Sequence, residues 1–293
     1  MRRRLFILHN PNAGPAARRH YRSILNLLRD AGAHAELVET SRHGDGMKAT
    51  LEAARSGKFD AIVVAGGDGT VHDAAEGTLG SATPLGIIPM GTANVFAREV
   101  GLPFSPEHVA SALLYGTVRA IPVGQINARP FLFVVGIGFD AEAVAHFEAS
   151  GTRQFGRIGL LAPVIRALVS HSDSLLRVTT NGGRSEAQWV IVTRVQCYAG
   201  GLLLSRDAHI TRTKFYVVRF GGRGKLVRLR QLSALACGLV RYDPDVTIEA
   251  AEWVRVESDT RVPVQVDGEI LGTLPAMIKL HPERLQIIFP RDP

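Results

Sequence analysis

The 293-residue chain contains only two cysteines, Cys197 and Cys237, far apart and in no metal-binding spacing. That excludes a disulfide framework and a thiolate zinc site, and it suits a reducing compartment. Aromatic residues make up only 6% of the sequence and do not interleave with basic runs. A base-stacking surface, and with it a nucleic-acid partner, is therefore not expected. No stretch of about 18 uncharged apolar residues occurs, so no transmembrane segment is expected. The basic start Met1-Arg2-Arg3-Arg4 leads into an apolar run of only Leu5 to Leu8, too short for a signal-peptide core. Internal repeats and low-complexity tracts are lacking as well. Positive charge is not lacking: the formal net charge is +7. It favours an anionic partner, either nucleotide phosphates or an anionic lipid surface.

The most informative stretch is Ala61-Ile62-Val63-Val64-Ala65-Gly66-Gly67-Asp68-Gly69-Thr70. Its apolar half reads as a buried parallel strand, and open α/β sheets bind ligands at the carboxyl ends of such strands. Glycines there let phosphates approach backbone N–H groups, and the helix expected from Val71 to Leu79 would present its N-terminus to negative charge. No Lys follows the glycines, so this is not a Walker A loop, and it is not G-x-G-x-x-G. A plain strand-to-helix turn capped by Asp68 would look the same in isolation.

Around it, strands are expected at Leu5–Leu8, Ala35–Thr40 and Pro84–Pro89, with helices at 16–31 and 47–56. This alternation predicts a parallel sheet with helices on its faces. The pattern changes near Pro122. Short strands are then expected at Phe131–Val135, Leu176–Thr180, Gln188–Val195, Lys214–Phe220, Val246–Ala250, Trp253–Glu257 and Val262–Val266, interrupted by helices at 158–170 and 226–239. The expected fold is α/β plus mostly β. A parallel-sheet nucleotide-binding domain over 1–122 is followed by an antiparallel β-sandwich over 123–284, with residues 285–293 returning to the first domain. The site is expected in the interdomain cleft.

Four further loops carry candidate chemistry: Asn10-Pro11-Asn12-Ala13-Gly14, the loop from Thr40, Gly91-Thr92-Ala93-Asn94, and Val266-Asp267-Gly268-Glu269. In a parallel sheet the first three open on the same edge as Gly66–Thr70. There they would surround one point with backbone N–H groups and hydroxyls, as a phosphate chain requires. Each alone is an ordinary turn or cap.

Taken together in this order, these motifs resemble the diacylglycerol kinase catalytic-domain family, in particular the soluble bacterial lipid kinases, with sphingosine and ceramide kinases as more distant relatives. Weaker matches are Gly136-Ile137-Gly138-Phe139-Asp140-Ala141 and Gly200-Gly201. Gly-Gly-Asp-Gly by itself is shared with NAD kinases and phosphofructokinases. The resemblance implies an ATP- and Mg²⁺-dependent lipid kinase of phospholipid metabolism, with diacylglycerol or a related lipid alcohol as acceptor. It implies that Asn10, Pro11, Asn12, Ala13, Gly14, Thr40, Gly66, Gly67, Asp68, Gly69, Thr70, Val71, His72, Gly91, Thr92 and Asn94 hold the nucleotide. Asp68 and Asp267 would reach Mg²⁺ directly or through water. Glu269 would accept the proton of the lipid hydroxyl, with Asp267 and Asp68 as rival catalytic residues. The implied setting is the cytoplasm, with peripheral contact at the inner face of the membrane. A homodimer is among the assemblies to be expected. Two other readings stay open: a regulatory protein binding nucleotide or lipid with little catalysis, and an NAD kinase-like enzyme.

The sequence departs from the family pattern twice. Val95 follows Asn94 where relatives usually carry Asp. Thr211-Arg212-Thr213 stands where bacterial relatives have an Asp-Asp-Gly turn that binds a structural Mg²⁺. An arginine there disfavours a cation, so no structural Mg²⁺ site is expected, or one replaced by an Arg212 ion pair. The segment with Arg219, Arg223, Lys225, Arg228 and Arg230 flanks a helix whose leucines are Leu226, Leu229, Leu232 and Leu235. The expectation is that its apolar side packs on the sandwich and its basic side is solvated, membrane docking being the rival.

Overall fold

The protein is described by a computed structural model at residues 1–11, 14–40, 44–150, 159, 161–171, 173–199 and 201–291. Two units are present, Met1–Val123 together with the segment from Pro282 onward, and Gly124–His281.

The first unit alternates strand and helix: β1 (Arg4–His9), α1 (Pro15–Asp30), β2 (His34–Glu39), α2 (Asp45–Ser56), β3 (Ala61–Gly66), α3 (Asp68–Thr78), β4 (Leu85–Pro89), α4 (Val95–Glu99) and α5 (Pro106–Tyr115). Every residue of β3 and β4 is buried, which is why these strands are continuous apolar runs. The strands pair in parallel in the order β2-β1-β3-β4. After β1 the chain steps outward to β2, and then returns to place β3 on the other side of β1. The carboxyl ends of β1 and β3 therefore form a topological switch point, where the two following loops diverge and leave a crevice.

In chain order there follow β5 (Thr117–Ile126), β6 (Arg129–Phe131), β7 (Val134–Ile137), α6 (Phe139–Ser150), α7 (Leu161–Ser170), β8 (Leu176–Thr180), β9 (Gly183–Ala187), β10 (Trp189–Thr193), β11 (Cys197–Tyr198), β12 (Leu202–Leu203), β13 (Phe215–Phe220), α8 (Lys225–Ala236), β14 (Val246–Ala251), β15 (Val254–Glu257), β16 (Pro263–Val266), β17 (Glu269–Thr273) and β18 (Ala276–Phe289). In the second unit a six-stranded sheet has the order β14-β13-β10-β7-β16-β17. Its neighbours are antiparallel. A second layer sets β15 between β8 and the first residues of β18, with β9 beyond β8. Val135, Val190, Val217 and Val264 of the first layer form one buried cluster with Val178, Val254 and Ile278 of the second. This is a sandwich core. The end of β18 belongs to the first unit, where Ile287 pairs in parallel with Leu85 of β4.

Two sequence expectations are corrected. Residues 131–135 were expected as one strand, but β6 ends at Phe131 and β7 begins at Val134. The interruption has a physical cause: the backbone N–H groups of Leu132, Phe133 and Val134 all donate to the Asp267 carboxylate. The second correction concerns the first half of α8, which is reversed relative to its expected polarity, whereas Leu235 near its end is buried as expected. Arg228 and Gln231 are buried at 4% and 1% exposure, whereas Leu226 is 83% exposed and Leu229 is 50% exposed. Arg228 is held inward by an ion pair to Asp173, and Gln231 accepts a hydrogen bond from the indole of buried Trp189 and donates to the Gly221 carbonyl. The start of the helix expected at 158–170 lies outside the described residues, and α7 covers the rest.

Candidate functional site

At the switch point, three loops of the first unit are tied together through backbone. Asn10 N–H donates to the Ala65 carbonyl at 3.0 Å, and the Asn10 amide donates to the Thr70 hydroxyl at 3.3 Å. Met90 N–H donates to the Gly66 carbonyl at 3.0 Å. Thr40 is anchored to the end of β1 by its N–H on the His9 carbonyl at 3.0 Å. The glycines are required by approach. A Cβ on Gly91 would lie 2.7 Å from the Gly67 Cα, and a Cβ on Gly66 would lie 2.7 Å from the Thr70 side chain. The loops after β3 and β4 thus touch backbone to backbone at Gly67 and Gly91. No residue with a side chain could bring them so close.

Asp68 opens α3 just after Gly67, and one carboxylate oxygen accepts the N–H of Phe96 in α4 at 3.1 Å. Asn94 sits in the left-handed region (φ 48°) and closes its own loop reciprocally. It accepts from Gly91 N–H and donates to the Gly91 carbonyl, both at 2.8 Å. Gly69 and Thr92 are exposed at this edge, whereas Val71 and His72 are buried inside the unit on α3. Pro11 is exposed, and Gly14 stands immediately before α1. Asn12 and Ala13 lie outside the described residues. So do Gly200 and the residues 41–43 that follow Thr40. The structure therefore gathers Asn10, Gly66, Gly67, Asp68, Thr70, Gly91 and Asn94 into one rim, with a helix N-terminus in it.

In the second unit the turn between β16 and β17 is built from side chains. Asp267 has φ 49°, a left-handed conformation made possible beside Gly268, whose φ is 92°. Its carboxylate accepts from Leu132 at 2.7 Å and from Phe133 and Val134 at 2.9 and 2.8 Å. Three of its roughly four acceptor positions are thereby occupied. Glu269 pairs with Arg129 at 2.5 Å and is 30% exposed. Beneath the turn, Gln265 is fully buried; its carbonyl accepts from Gly268 N–H at 2.9 Å, and its amide donates to Asp140 at 2.7 Å. The Tyr198 hydroxyl donates to the other Asp140 oxygen at 2.9 Å. Burial pushes the Asp140 carboxyl up from its ordinary range, against the opposing pull of the Gln265 and Tyr198 hydrogen bonds. Burial also raises Tyr198 well above a normal phenol, and the neighbouring Asp140 adds to this. Gly136 makes room for Asp140, since a Cβ on it would meet the carboxylate at 1.7 Å.

Sequence reasoning missed Arg129, Tyr198 and Gln265. Gln265 left one signal, as an amide between Val264 and Val266 in an otherwise apolar strand. Arg129 and Tyr198 left none, because their partners Glu269 and Asp140 are remote in the chain. Among the described residues, no group of three or more His, Cys, Asp or Glu side chains is placed to share a cation. At the Thr211–Thr213 turn the side chains are exposed, and Arg212 forms no ion pair among the described residues. The alternative of an Arg212 ion pair in place of a metal is therefore corrected.

Comparison with known proteins places these features in a family. The diacylglycerol kinase catalytic domain matches residues 4–126, and the YegS C-terminal NAD kinase beta sandwich-like domain matches residues 133–289. A relative from Bacillus subtilis (strain 168) named diacylglycerol kinase is 25% identical over 298 residues, covering 99% of this chain and 97% of that one. A relative of the same name from Staphylococcus haemolyticus (strain JCSC1435) is 28% identical over 303 residues, covering 100% of this chain and 90% of that one. The crystal structure of a diacylglycerol kinase from Bacillus anthracis str. Sterne superposes with TM-score 0.73 at 20% identity, over 98% of this chain and 97% of that one. A further structure from the same organism gives TM-score 0.79 at 23% identity, over 98% and 95%. At these identities the superpositions speak for the fold alone.

Proposed function

The chain belongs to the diacylglycerol kinase family of lipid kinases, and on that premise we propose that it moves the γ-phosphate of ATP to the hydroxyl of diacylglycerol or a related lipid alcohol. The observation that carries the nucleotide half is the backbone contact of Gly67 with Gly91, beside the N-terminus of α3. Phosphoryl transfer depends on holding the phosphates and spreading their charge. A rim of backbone N–H groups at a helix N-terminus does the first without any lysine.

Mg²⁺ would neutralise charge on the phosphates, and it is normally held by one or two carboxylates together with phosphate oxygens. Asp68 fits that donor set, standing on the glycine rim. Asp267 fits it poorly, because its oxygens are already committed to backbone N–H groups. The same commitment favours Glu269 over Asp267 as acceptor of the lipid hydroxyl proton. In this reading Arg129 orients the Glu269 carboxylate, and Asp267 shapes the turn that presents it.

The lipid acceptor implies work at a membrane surface, at the inner face of a cytoplasmic membrane. Support comes from α7, where Leu161, Ile165 and Val169 recur every four residues at 62%, 51% and 63% exposure. In α8, Leu226 and Leu229 are exposed with Lys225 beside them, the combination of apolar and basic groups that an anionic interface takes. No helix among the described residues is long and apolar enough to cross a membrane. One observation keeps a second reading in view: Val95, at the start of α4, supplies no carboxylate to the nucleotide rim. A protein of this fold that binds nucleotide and lipid without transfer would tolerate it.

The test is transfer of labelled phosphate from ATP to a panel of micellar lipid alcohols, with NAD as a soluble control acceptor. Labelled lipid that disappears in Glu269→Ala supports the proposal and names the acceptor. Labelled NAD, or ATP binding with no labelled product, would overturn it.

A further inference from the structure

The arginines of the second unit differ in whether they have an ionic partner and whether they share a cavity. Four at its surface are neutralised by a neighbouring carboxylate: Arg177 by Asp259, Arg219 by Glu249, Arg230 by Asp243 and Arg255 by Glu257. Arg206, Arg212 and Arg241 are different. All three line a single cavity of about 510 Å³, and among the described residues none of them has an ion-pair partner. The one carboxylate in the lining, Asp207, is paired with none of them. A larger cavity of about 720 Å³ gives the contrast, because its Arg177, Arg184 and Arg255 share the lining with Glu186 and Glu257. Its charge is nearly balanced, and the charge of the smaller cavity is not.

The backbone that carries each guanidinium is tethered. Arg212 N–H donates to the His209 carbonyl at 2.9 Å, and His209 Nδ1 bonds the Thr211 hydroxyl at 2.8 Å. The Ile210 carbonyl of the same turn accepts from buried Arg194 at 2.8 Å. The Arg206 carbonyl accepts from the Gln196 amide at 3.2 Å. Arg241 lies in the 3-10 turn Val240–Tyr242, its guanidinium 5.4 Å from the centre of the Tyr242 ring. Positive groups held on fixed backbone lose less freedom when an anion arrives.

We propose that this cavity is a binding site for a phosphomonoester, separate in its residues from the glycine loops. A carboxylate offers one charge and two oxygens, too little for three guanidinium groups. A phosphomonoester carries about −1.5 to −2 charge and three acceptor oxygens, and guanidinium forks match it in shape and charge. The half-buried Tyr216 hydroxyl has no hydrogen-bond partner among the described residues and supplies a neutral donor. Val240 and Ile248 form apolar wall, and the volume exceeds what a bare phosphate needs, so the ligand carries an organic body. Lipid phosphate headgroups and soluble phosphate esters both meet that description. The inference rests on the cavity, not on the kinase reading.

The experiment titrates the full chain with inorganic phosphate in a calorimeter, and the variants below separate binding in this cavity from binding at the glycine loops. In parallel, retention is measured on phosphatidylcholine vesicles with and without phosphatidate. Arg212→Glu is compared with Arg184→Glu, an equal charge change in the balanced cavity. Saturable phosphate binding weakened by about tenfold or more in Arg212→Glu alone, the scale of one charge-assisted hydrogen bond, supports a soluble ligand. Silence with phosphate, but phosphatidate-dependent retention lost in Arg212→Glu alone, supports a lipid headgroup. Equal behaviour of the two variants, or no binding by either probe, overturns the proposal. Arg241→Glu, on a separate element, repeats the test should Arg212→Glu fail to fold.

Discussion

The glycine rim of the first unit and the Asp-Gly-Glu turn of the second are built on opposite plans. The rim is joined at its backbone: Gly67 lies against Gly91, and main-chain hydrogen bonds tie the ends of β1, β3 and β4, with the Asn10, Asp68 and Asn94 side chains adding to them. The turn is side chain: Asp267 collects three N–H groups, Arg129 holds Glu269, and Gln265 connects the turn to buried Asp140. A backbone cradle depends on glycines where the loops meet, which is the construction that suits phosphates. A side-chain turn fixes one carboxylate in one orientation, which suits a proton acceptor.

The largest expected effect separates the two carboxylates of the turn. Glu269→Ala should lower phosphate transfer by about 10²- to 10⁴-fold, the usual range for a general base, at a cost of about 1 kcal/mol or less in stability from the lost Arg129 pair. Asp267→Ala should act the other way round. It strands three backbone donors and should destabilise the second unit by about 2–4 kcal/mol in denaturant titration. If Asp267→Ala left stability intact while abolishing transfer, Asp267 would be the chemical group and Glu269 the support. On the rim, Gly91→Ala drives a methyl into the Gly67 backbone. It should cost about 1–3 kcal/mol of stability and most of the ATP affinity. The glycine pair would not be a cradle if nucleotide affinity survived.

Legibility in the sequence follows the same division. The rim was readable because each piece is local. An apolar run of six buried residues makes β3, and the glycines at its end fit either a close approach or a plain capped turn, the neighbouring loops deciding between them. The fold class followed from period and spacing for the same reason. What stayed hidden depends on distant partners. The break between β6 and β7 exists because Asp267, more than 130 residues later, draws off three N–H groups. The inward turn of Arg228 and Gln231 in α8 is set by Asp173 and Trp189, neither of which leaves a trace in the helix itself.

Asp60 repeats the job of Asp267 in the first unit without any chemistry attached, and so sharpens the comparison. Its carboxylate accepts from Arg3 and Arg4 N–H at 2.8 and 3.0 Å and pairs with the Arg4 guanidinium at 2.8 Å. The Arg3 and Arg4 backbone N–H groups are the main cause that brings its pKa down from 3.8 to about 2. A depressed carboxyl stabilises the fold at pH values above 3.8, and that contribution disappears as pH falls through about 2. After allowance for solvent screening the contribution is about 1 kcal/mol. Asp60→Asn should therefore melt lower than the parent at neutral pH, and the gap should close between pH 4 and 2 (approximate bounds from the same shift). A gap independent of pH would mean that Asp60 acts through packing.

The smallest effect on stability belongs to the outward leucines of α8. Leu226 and Leu229 bury little in the chain, so Leu226→Ser with Leu229→Ser should change stability by less than about 0.5 kcal/mol per site. Burial on a lipid surface would be another matter, since each leucine side chain is worth about 1.5–3 kcal/mol on full removal from water. The double variant should therefore lose retention on anionic vesicles while keeping its melting temperature and its affinity for ATP. Unchanged retention would remove α8 from the lipid surface and leave the exposed stripe of α7 to carry it. Arg228→Met, which would swap the buried ion pair with Asp173 for an apolar contact, checks the same inversion from inside. It leaves the part-buried Asp173 carboxylate with the Gly224 N–H but without its counter-charge, so it should destabilise the second unit even though it makes the helix more hydrophobic. A helix packed by its leucines would respond in the opposite sense.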